Sequence, residues 1–293
     1  MAKAARPRRS MLYMPGSNAR ALEKGKTIPA DALILDLEDA TAPDAKELAR
    51  TQVVDTVRGG GFGHREILIR VNGLETPWGQ ADLVAVATAG ADGILLPKVE
   101  SADMVRKAEA ILVGAGAPDG LALWCMMETP LGVLNAKEIA SSTPRLAGFV
   151  MGTSDLAKDT HAAHTAMRLP LLTSLSWCLL AARAYGLAVL DGVYLDLADD
   201  EGFAASCTQG VELGFDGKTL IHPKTVAAAN TAFAPSAAEI EFSRRIIGAH
   251  AEAAAEGKGV VVVDGKLIEN LHVENARRLV ALADAIAAAE SGA

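Results

Sequence analysis

Cysteine is scarce in this 293-residue chain: Cys125, Cys178 and Cys207 lie far apart and form no Cys-x-x-Cys pair. That spacing excludes a disulfide framework and offers no zinc pattern, so the thiols are expected to stay reduced and to pack as small hydrophobes. Aromatic residues are also few, at 4 %, although hydrophobic residues reach 50 %. A core must therefore be assembled from Ala, Leu, Val and Ile. Positive charge is short as well, with 28 Lys and Arg against 36 Asp and Glu and a formal net charge of -8. This balance argues against general nucleic-acid binding, while leaving room for a local basic pocket for phosphates. No apolar run approaches the ~18 residues of a membrane span. The basic start Met1–Arg9 leads straight into Met11-Leu-Tyr-Met14 with no apolar signal segment between them. The expectation is a cytoplasmic protein with no nucleic-acid or membrane partner. Nor does a Gly-x-Gly-x-x-Gly follow the first apolar run, which lowers the dinucleotide-binding alternative.

What the chain does have is a repeated pattern, clearest in Ala32-Leu-Ile-Leu-Asp36-Leu-Glu38-Asp39. An unbroken apolar run fits a strand covered on both faces, as in a parallel sheet. Three acids then crowd within four positions, an arrangement that costs free energy unless cations or hydrogen-bond donors meet them. Comparable runs predict strands near Met11–Met14, Ala32–Leu37, Glu66–Val71, Gly93–Leu96, Leu121–Met126, Leu146–Met151, Ala188–Leu190 and Phe215–Thr219. Helical periodicity lies between them, over Ala19–Lys26, Asp44–Val57, Gly79–Thr88, Ala102–Val113, Leu131–Ala140, Leu169–Tyr185 and Asp200–Leu213. Strands alternating with helices imply βαβ units, and eight of them suit a closed (β/α)8 TIM barrel better than an open sheet. The barrel is expected to occupy residues 1–233. A helix–hairpin–helix extension over 234–293 follows: helix Ser236–Glu256, the turn Gly257–Gly259, hairpin Val260–Ile268 around Asp264-Gly265, and a last helix near Leu271–Ala289. A hairpin is marginal alone, so the extension is expected to pack on the barrel mouth or on a neighbouring subunit.

Catalytic groups of such barrels collect at the C-terminal ends of the strands. Read in order, those ends carry Tyr13-Met-Pro-Gly-Ser17, Glu38-Asp39, Arg70-Val-Asn72, Pro97-Lys98, Glu128-Thr129, Thr153-Ser154-Asp155, Asp191-Gly192 and Lys218. Charges at seven of eight ends are expected to converge on one mouth. Glu128 and Asp155 follow adjacent strands, and with no His or Cys beside them they suit a hard divalent ion, most simply Mg2+. The competing reading is an acid pair satisfied by Arg70 and Lys98. Arg70 is the natural electrophile, a permanent planar cation able to hold a carboxylate or a developing enolate oxygen. Asp39 reads equally as an acid supporting that catalytic group or as a cap for the helix at Asp44–Val57.

Together these residues resemble a known family. Arg9-Ser-Met-Leu-Tyr-Met-Pro-Gly-Ser17, Leu35-Asp-Leu-Glu-Asp39, Arg70-Val-Asn-Gly73, Leu96-Pro-Lys98, Met127-Glu-Thr-Pro-Leu-Gly132, Gly152-Thr-Ser-Asp155 and Ile221-His-Pro223 look like the citrate lyase β-subunit family. This is the CoA-ester branch of the aldolase/citrate lyase group, and the resemblance spans nearly the whole chain. It implies a Mg2+-dependent barrel that assembles as a homo-oligomer, a trimer or hexamer, with shared active sites. By position it implies that Glu128 and Asp155 hold the metal and that Arg70 grips the substrate near its thioester. Tyr13 and Lys24 would line the CoA site, with Ser154 and the His222 loop close to the substrate; His222 reads equally as a shaper of its own turn beside Pro223. In Gly265-Lys-Leu-Ile-Glu269, a segment resembling the one by which lyases place an Asp in a neighbour's site, this chain has Glu269. Its extra methylene displaces the carboxyl by roughly one C–C bond, enough to misplace a proton donor; the plainer reading is a polar residue opening the last helix.

The implied activity is hydrolysis of short 3-hydroxy carboxyacyl-CoA thioesters, foremost (3S)-malyl-CoA to malate and CoA. Its alternative is carbon–carbon cleavage of malyl-CoA or citramalyl-CoA-type esters to a 2-oxo acid and acetyl-CoA. An aldolase on free 2-oxo acids and a non-catalytic CoA-ester-binding subunit complete the readings.

Overall fold

The computed structural model of the protein describes residues 5–255, 257 and 259–292. The first four residues of the basic tail, Glu256 at the end of the expected helix and Lys258 in the turn after it lie outside the described residues. Eight parallel strands close a barrel in sequence order: β1 Ser10–Pro15, β2 Ala32–Asp36, β3 Glu66–Arg70, β4 Gly93–Leu96, β5 Ala122–Met127, β6 Leu146–Met151, β7 Ala188–Asp191 and β8 Gly217–Leu220. The eighth pairs back onto the first. With helices around it, this is the (β/α)8 TIM-barrel fold.

Alternation along each strand divides the core in two. One set of side chains, Met11, Ile34, Leu68, Leu95, Met126 and Leu190 among them, fills the inside around Trp124. Their sequence neighbours Leu12, Leu33, Ile69, Ile94 and Val189 face the helices in a larger outer cluster. Trp124 is fully buried and needs a gap in the next strand, where a Cβ at Gly148 would lie 2.3 Å from its ring. Beneath it, Arg8 pairs with Glu66 at 2.5 and 2.8 Å and lies 5.0 Å from the indole ring.

Several elements depart from expectation. The helix expected over Leu131–Ala140 divides into Pro130–Leu134 and Ala136–Ala140. The division falls at Asn135, whose amide turns aside to donate to the Glu100 carbonyl at 2.8 Å. The eighth strand begins at Gly217 rather than Phe215, because the N–H of Phe215 is used to close the preceding helix on the Gly210 carbonyl. Left-handed Gly214 makes that closure possible. Two helices were not anticipated, Thr153–Thr160 and Val226–Ala232. Each buries only two or three small or apolar side chains, too few for a visible 3.6-residue period.

The chain divides into two compact units, one being Arg8–Phe233 and the other taking in the described residues from Ala234 onward and those before Arg8. In the second, helices Ala237–Ala255 and Asn270–Ser291 pack with a hairpin of β9 Val261–Val263 and β10 Lys266–Ile268. The hairpin turns at Asp264 and Gly265, both with positive φ, as a two-residue turn requires. Among the described residues no helix is long and apolar enough to cross a membrane.

Candidate active site

Strand parity decides which charged ends reach the barrel mouth. Leu68 and Met126 point inward, so Arg70 and Glu128, two residues further on, point inward as well. Asp36 follows Ile34 in the same way and stands opposite Arg70 in register. Across that pair Arg70 donates twice, from Nε to Asp36 Oδ1 at 2.7 Å and from Nη2 to Oδ2 at 2.6 Å. Its Nη1 lies 2.8 Å from Glu38 Oε2 and 3.7 Å from Asp39. The guanidinium also sits 4.9 Å from the centre of the Tyr13 ring, a cation–π contact. Although burial disfavours its charge, Tyr13 and the carboxylates hold Arg70 protonated. Two of its five N–H groups are hydrogen-bonded to Asp36, and Nη1 is ion-paired with Glu38.

The acidic loop after β2 is held from several sides. Asp36 accepts the N–H of Glu38 at 2.9 Å and of Ala40 at 3.0 Å. Lys46 is buried and donates to the carbonyls of Leu37 and Glu38 at 2.9 and 2.8 Å and to Asn72 Oδ1 at 2.8 Å. Burial pulls its ammonium below the usual lysine range. Glu38 is also raised by burial, against the pull of Arg70 and of Lys98, which bonds its Oε1.

Glu128 is buried, and Lys98 N–H donates to its Oε1 at 2.8 Å. Burial pushes its carboxyl up to about 7, with that hydrogen bond acting the other way. A Cβ at Gly152 would stand 2.4 Å from Glu128 Oε2, so only glycine leaves room there. The helix Thr153–Thr160 starts immediately after it and carries Asp155 in its first turn, where Lys158 holds Asp155 Oδ1 at 3.1 Å. Glu128 and Asp155 are oxygen donors on adjacent strand ends, and the first bears a charge that burial makes costly without a cation. That donor chemistry fits Mg2+, which keeps several waters and takes one or two carboxylates. Among the described residues no group of three or more His, Cys, Asp or Glu is placed to enclose a metal.

The other expected residues are more scattered. Tyr13 is half-buried, with its hydroxyl 3.2 Å from Met126 Sδ, and burial raises its pKa. Asp39 is exposed beside Arg70, and the helix Lys46–Gly59 has no side-chain cap, so Asp39 does not cap it. Ser154 is half-buried next to Asp155, and Lys24 is exposed in the last turn of the helix Ala19–Gly25. His222 is exposed and accepts the N–H of Lys224 at 3.1 Å, shaping its own turn. Glu269 stands at the N-cap of the helix Asn270–Ser291: its carbonyl oxygen accepts the His272 N–H at 3.0 Å, while its own N–H donates to His272 Nδ1 at 3.0 Å.

Two charged ends do not join the mouth. Leu190 faces inward, so Asp191 faces outward, and Lys218 shares the outer side with Leu220. There Lys218 donates to Asp191 at 2.8 Å and Arg168 adds bonds of 2.6 and 2.8 Å. Conversely, sequence reasoning pairs Arg70 with Glu38 or Asp39 and misses Asp36. The period-two count from Ile34 to Asp36 was the available signal.

A (β/α)8 barrel whose mouth joins acids to one buried arginine defines the class of this protein. Within that class the chain belongs to the HpcH/HpaI aldolase/citrate lyase family, whose pattern matches residues 9–223. It is 53 % identical over 288 residues to the (3S)-malyl-CoA thioesterase of Cereibacter sphaeroides, covering 98 % of this chain and 99 % of that protein. It is 35 % identical to citrate lyase subunit beta of Escherichia coli, over 95 % of this chain and 94 % of the other. Among solved structures it is similar to CitE from Mycobacterium tuberculosis in complex with magnesium, acetoacetate and coenzyme A. That likeness has a TM-score of 0.74 at 27 % identity and covers 97 % of this chain and all, 100 %, of CitE.

Proposed function

We propose that this protein is a Mg2+-dependent enzyme that hydrolyses (3S)-malyl-CoA to malate and CoA. The observation that carries the reading is the 53 % identity to a (3S)-malyl-CoA thioesterase over 98 % of the chain. Glu128 and Asp155 would hold the ion, which when bound supplies charge to orient and polarise the substrate's oxygens. N–H groups of Arg70 that Asp36 does not bind would take the thioester carbonyl oxygen and stabilise the charge that develops there. Asp36 and Glu38 set the plane of that guanidinium, and Tyr13 supports its face. Asp39 lies on the open side of Arg70 and would support it from there. Lys24, Ser154 and His222 would contact the CoA ester.

In this reading the chain forms a cytoplasmic homo-oligomer, a trimer or hexamer, in which residues 234–293 act as an extension to the 1–233 barrel. The extension of one subunit would bring Glu269 to a neighbour's mouth to manage a water proton. The lyase reading keeps support from the 35 % identity to citrate lyase subunit beta, since the same arginine would stabilise an enolate. Purified protein incubated with (3S)-malyl-CoA and Mg2+ separates the two. Free thiol with malate is the expected result, glyoxylate with acetyl-CoA would establish the lyase, and turnover of neither would overturn both.

A further inference from the structure

Lys98 combines an unfavourable backbone with two bonds that tie the halves of the mouth together. Its φ is 47°, left-handed, and it is one of four non-glycine residues with positive φ among the described residues. Such a conformation strains a lysine and hardly strains a glycine. What a lysine adds over glycine is its ammonium. The turn aims the Lys98 N–H at Glu128 Oε1, 2.8 Å away, while sending Nζ across to Glu38 Oε1. The other oxygen of Glu38 lies 2.8 Å from Arg70 Nη1. Lys46 fixes only the carbonyl of Glu38, at 2.8 Å. The Asp39 N–H also donates to Glu38 Oε2, at 3.3 Å, so Lys98 alone holds Oε1 while Arg70 and that main-chain donor meet Oε2.

We propose that Lys98 is a positioning residue that joins Glu128 and Arg70 into one frame, its main chain setting Glu128 and its side chain setting Arg70 through Glu38. The consequence for turnover rests on the function proposed above; the coupling itself does not. Without the ammonium, Glu38 keeps Arg70 and the Asp39 N–H, both on Oε2, so its carboxylate turns toward Arg70 and the guanidinium leaves the orientation in which its remaining N–H groups face the substrate. A displacement of that kind costs ~10- to 100-fold in rate.

The variant Lys98→Gly separates the two halves, because it keeps the backbone donor, relieves the left-handed turn and removes only the ammonium. The expected result is a melting temperature equal to or above wild type, Mn2+ affinity by electron paramagnetic resonance within about twofold of wild type, and kcat lower by ~10-fold or more. Lys98→Arg should recover part of kcat. In a Glu38→Gln background, Lys98→Gly should cost little further in kcat and should raise the melting temperature by more than it does in wild type, because relief of the turn is then no longer offset by the lost ion pair. Wild-type kcat in Lys98→Gly, or additive losses in the double variant, would overturn the proposal. If the wild-type protein turns over no thioester, the functional reading fails. The cycle is then read on melting temperature alone, where additivity overturns the coupling and non-additivity supports it.

Discussion

Arg70 and Asp36 stand opposite each other on neighbouring strands, and the guanidinium grips the carboxylate through two parallel hydrogen bonds of 2.7 and 2.6 Å. A planar fork is needed to make both while Nη1 reaches Glu38. Arg70→Lys keeps the charge and loses the fork. The expected outcome is a kcat lower by ~100-fold or more, the scale of removing one oxyanion donor, with the fold retained. Steady-state kinetics on (3S)-malyl-CoA tests it; wild-type kcat would reduce Arg70 to a counter-ion for Asp36.

How much of this was legible without coordinates depends on the kind of signal. The eight strands stand out because their apolar runs are buried on both faces, a pattern that few other elements share. Arg70 and Glu128 were legible as charged strand ends. That Asp191 and Lys218 turn away was also written in the chain, since Leu190 occupies the inward position; counting parity strand by strand separates them from the mouth. The grip of Arg70 on Asp36 was legible only in part: the period-two count from Ile34 turns Asp36 inward, but the register that sets it opposite Arg70 is not encoded in hydrophobic pattern. The placement of the Tyr13 hydroxyl likewise depends on Met126 of a strand more than a hundred positions away.

Burial holds the Glu128 carboxyl at about 7 against an ordinary value of 4.5. The metal-free folded protein therefore keeps a proton that the unfolded chain has released between those values. This contribution to stability is complete below the ordinary value and is lost as pH rises through about 7. Metal-free melting temperature should fall across that window, and Glu128→Gln should flatten the fall. A slope unchanged in Glu128→Gln would assign it to other groups.

A carboxylate must be deprotonated to hold a metal, so Mg2+ should raise the melting temperature more at pH above 7 than near pH 5. Asp155→Asn should weaken that effect and lower turnover while leaving the metal-free fold intact, because Asp155 is part-exposed and its partner among the described residues is the surface lysine Lys158. Full turnover of Asp155→Asn, or undiminished wild-type turnover in EDTA, would remove the metal from the mechanism.

Asp191 tests the opposite side of the strands. Burial alone would raise its pKa, yet Lys218 and then Arg168 hold the carboxyl below the usual range. Its contribution to stability is present above the ordinary carboxylate range and is lost as pH falls through the depressed value. Asp191→Asn leaves the fully buried Lys218 without its counter-charge, a loss on the order of 3–5 kcal/mol. Urea denaturation at neutral pH measures it. Because the group lies outside the barrel mouth, kcat per folded molecule should stay near wild type; a loss of kcat at unchanged stability would contradict that placement.

Glu269 separates the two chemistries. It is the N-cap of the helix Asn270–Ser291 and directly follows β10. Aspartate caps a helix at least as well, so Glu269→Asp should preserve the fold while shortening the reach of the acid by one methylene. If a neighbour's site uses this carboxyl, the substitution should raise glyoxylate formation relative to thiol release, and Glu269→Gln should slow chemistry without weakening Mg2+ or CoA binding. Subunit exchange adds a test independent of product ratio. Oligomers mixed from Arg70→Lys and Glu269→Gln chains should regain activity, since some interfaces then pair an intact arginine with an intact acid. No regain in well-mixed oligomers, together with an unchanged product ratio in Glu269→Asp, would confine Glu269 to starting its helix.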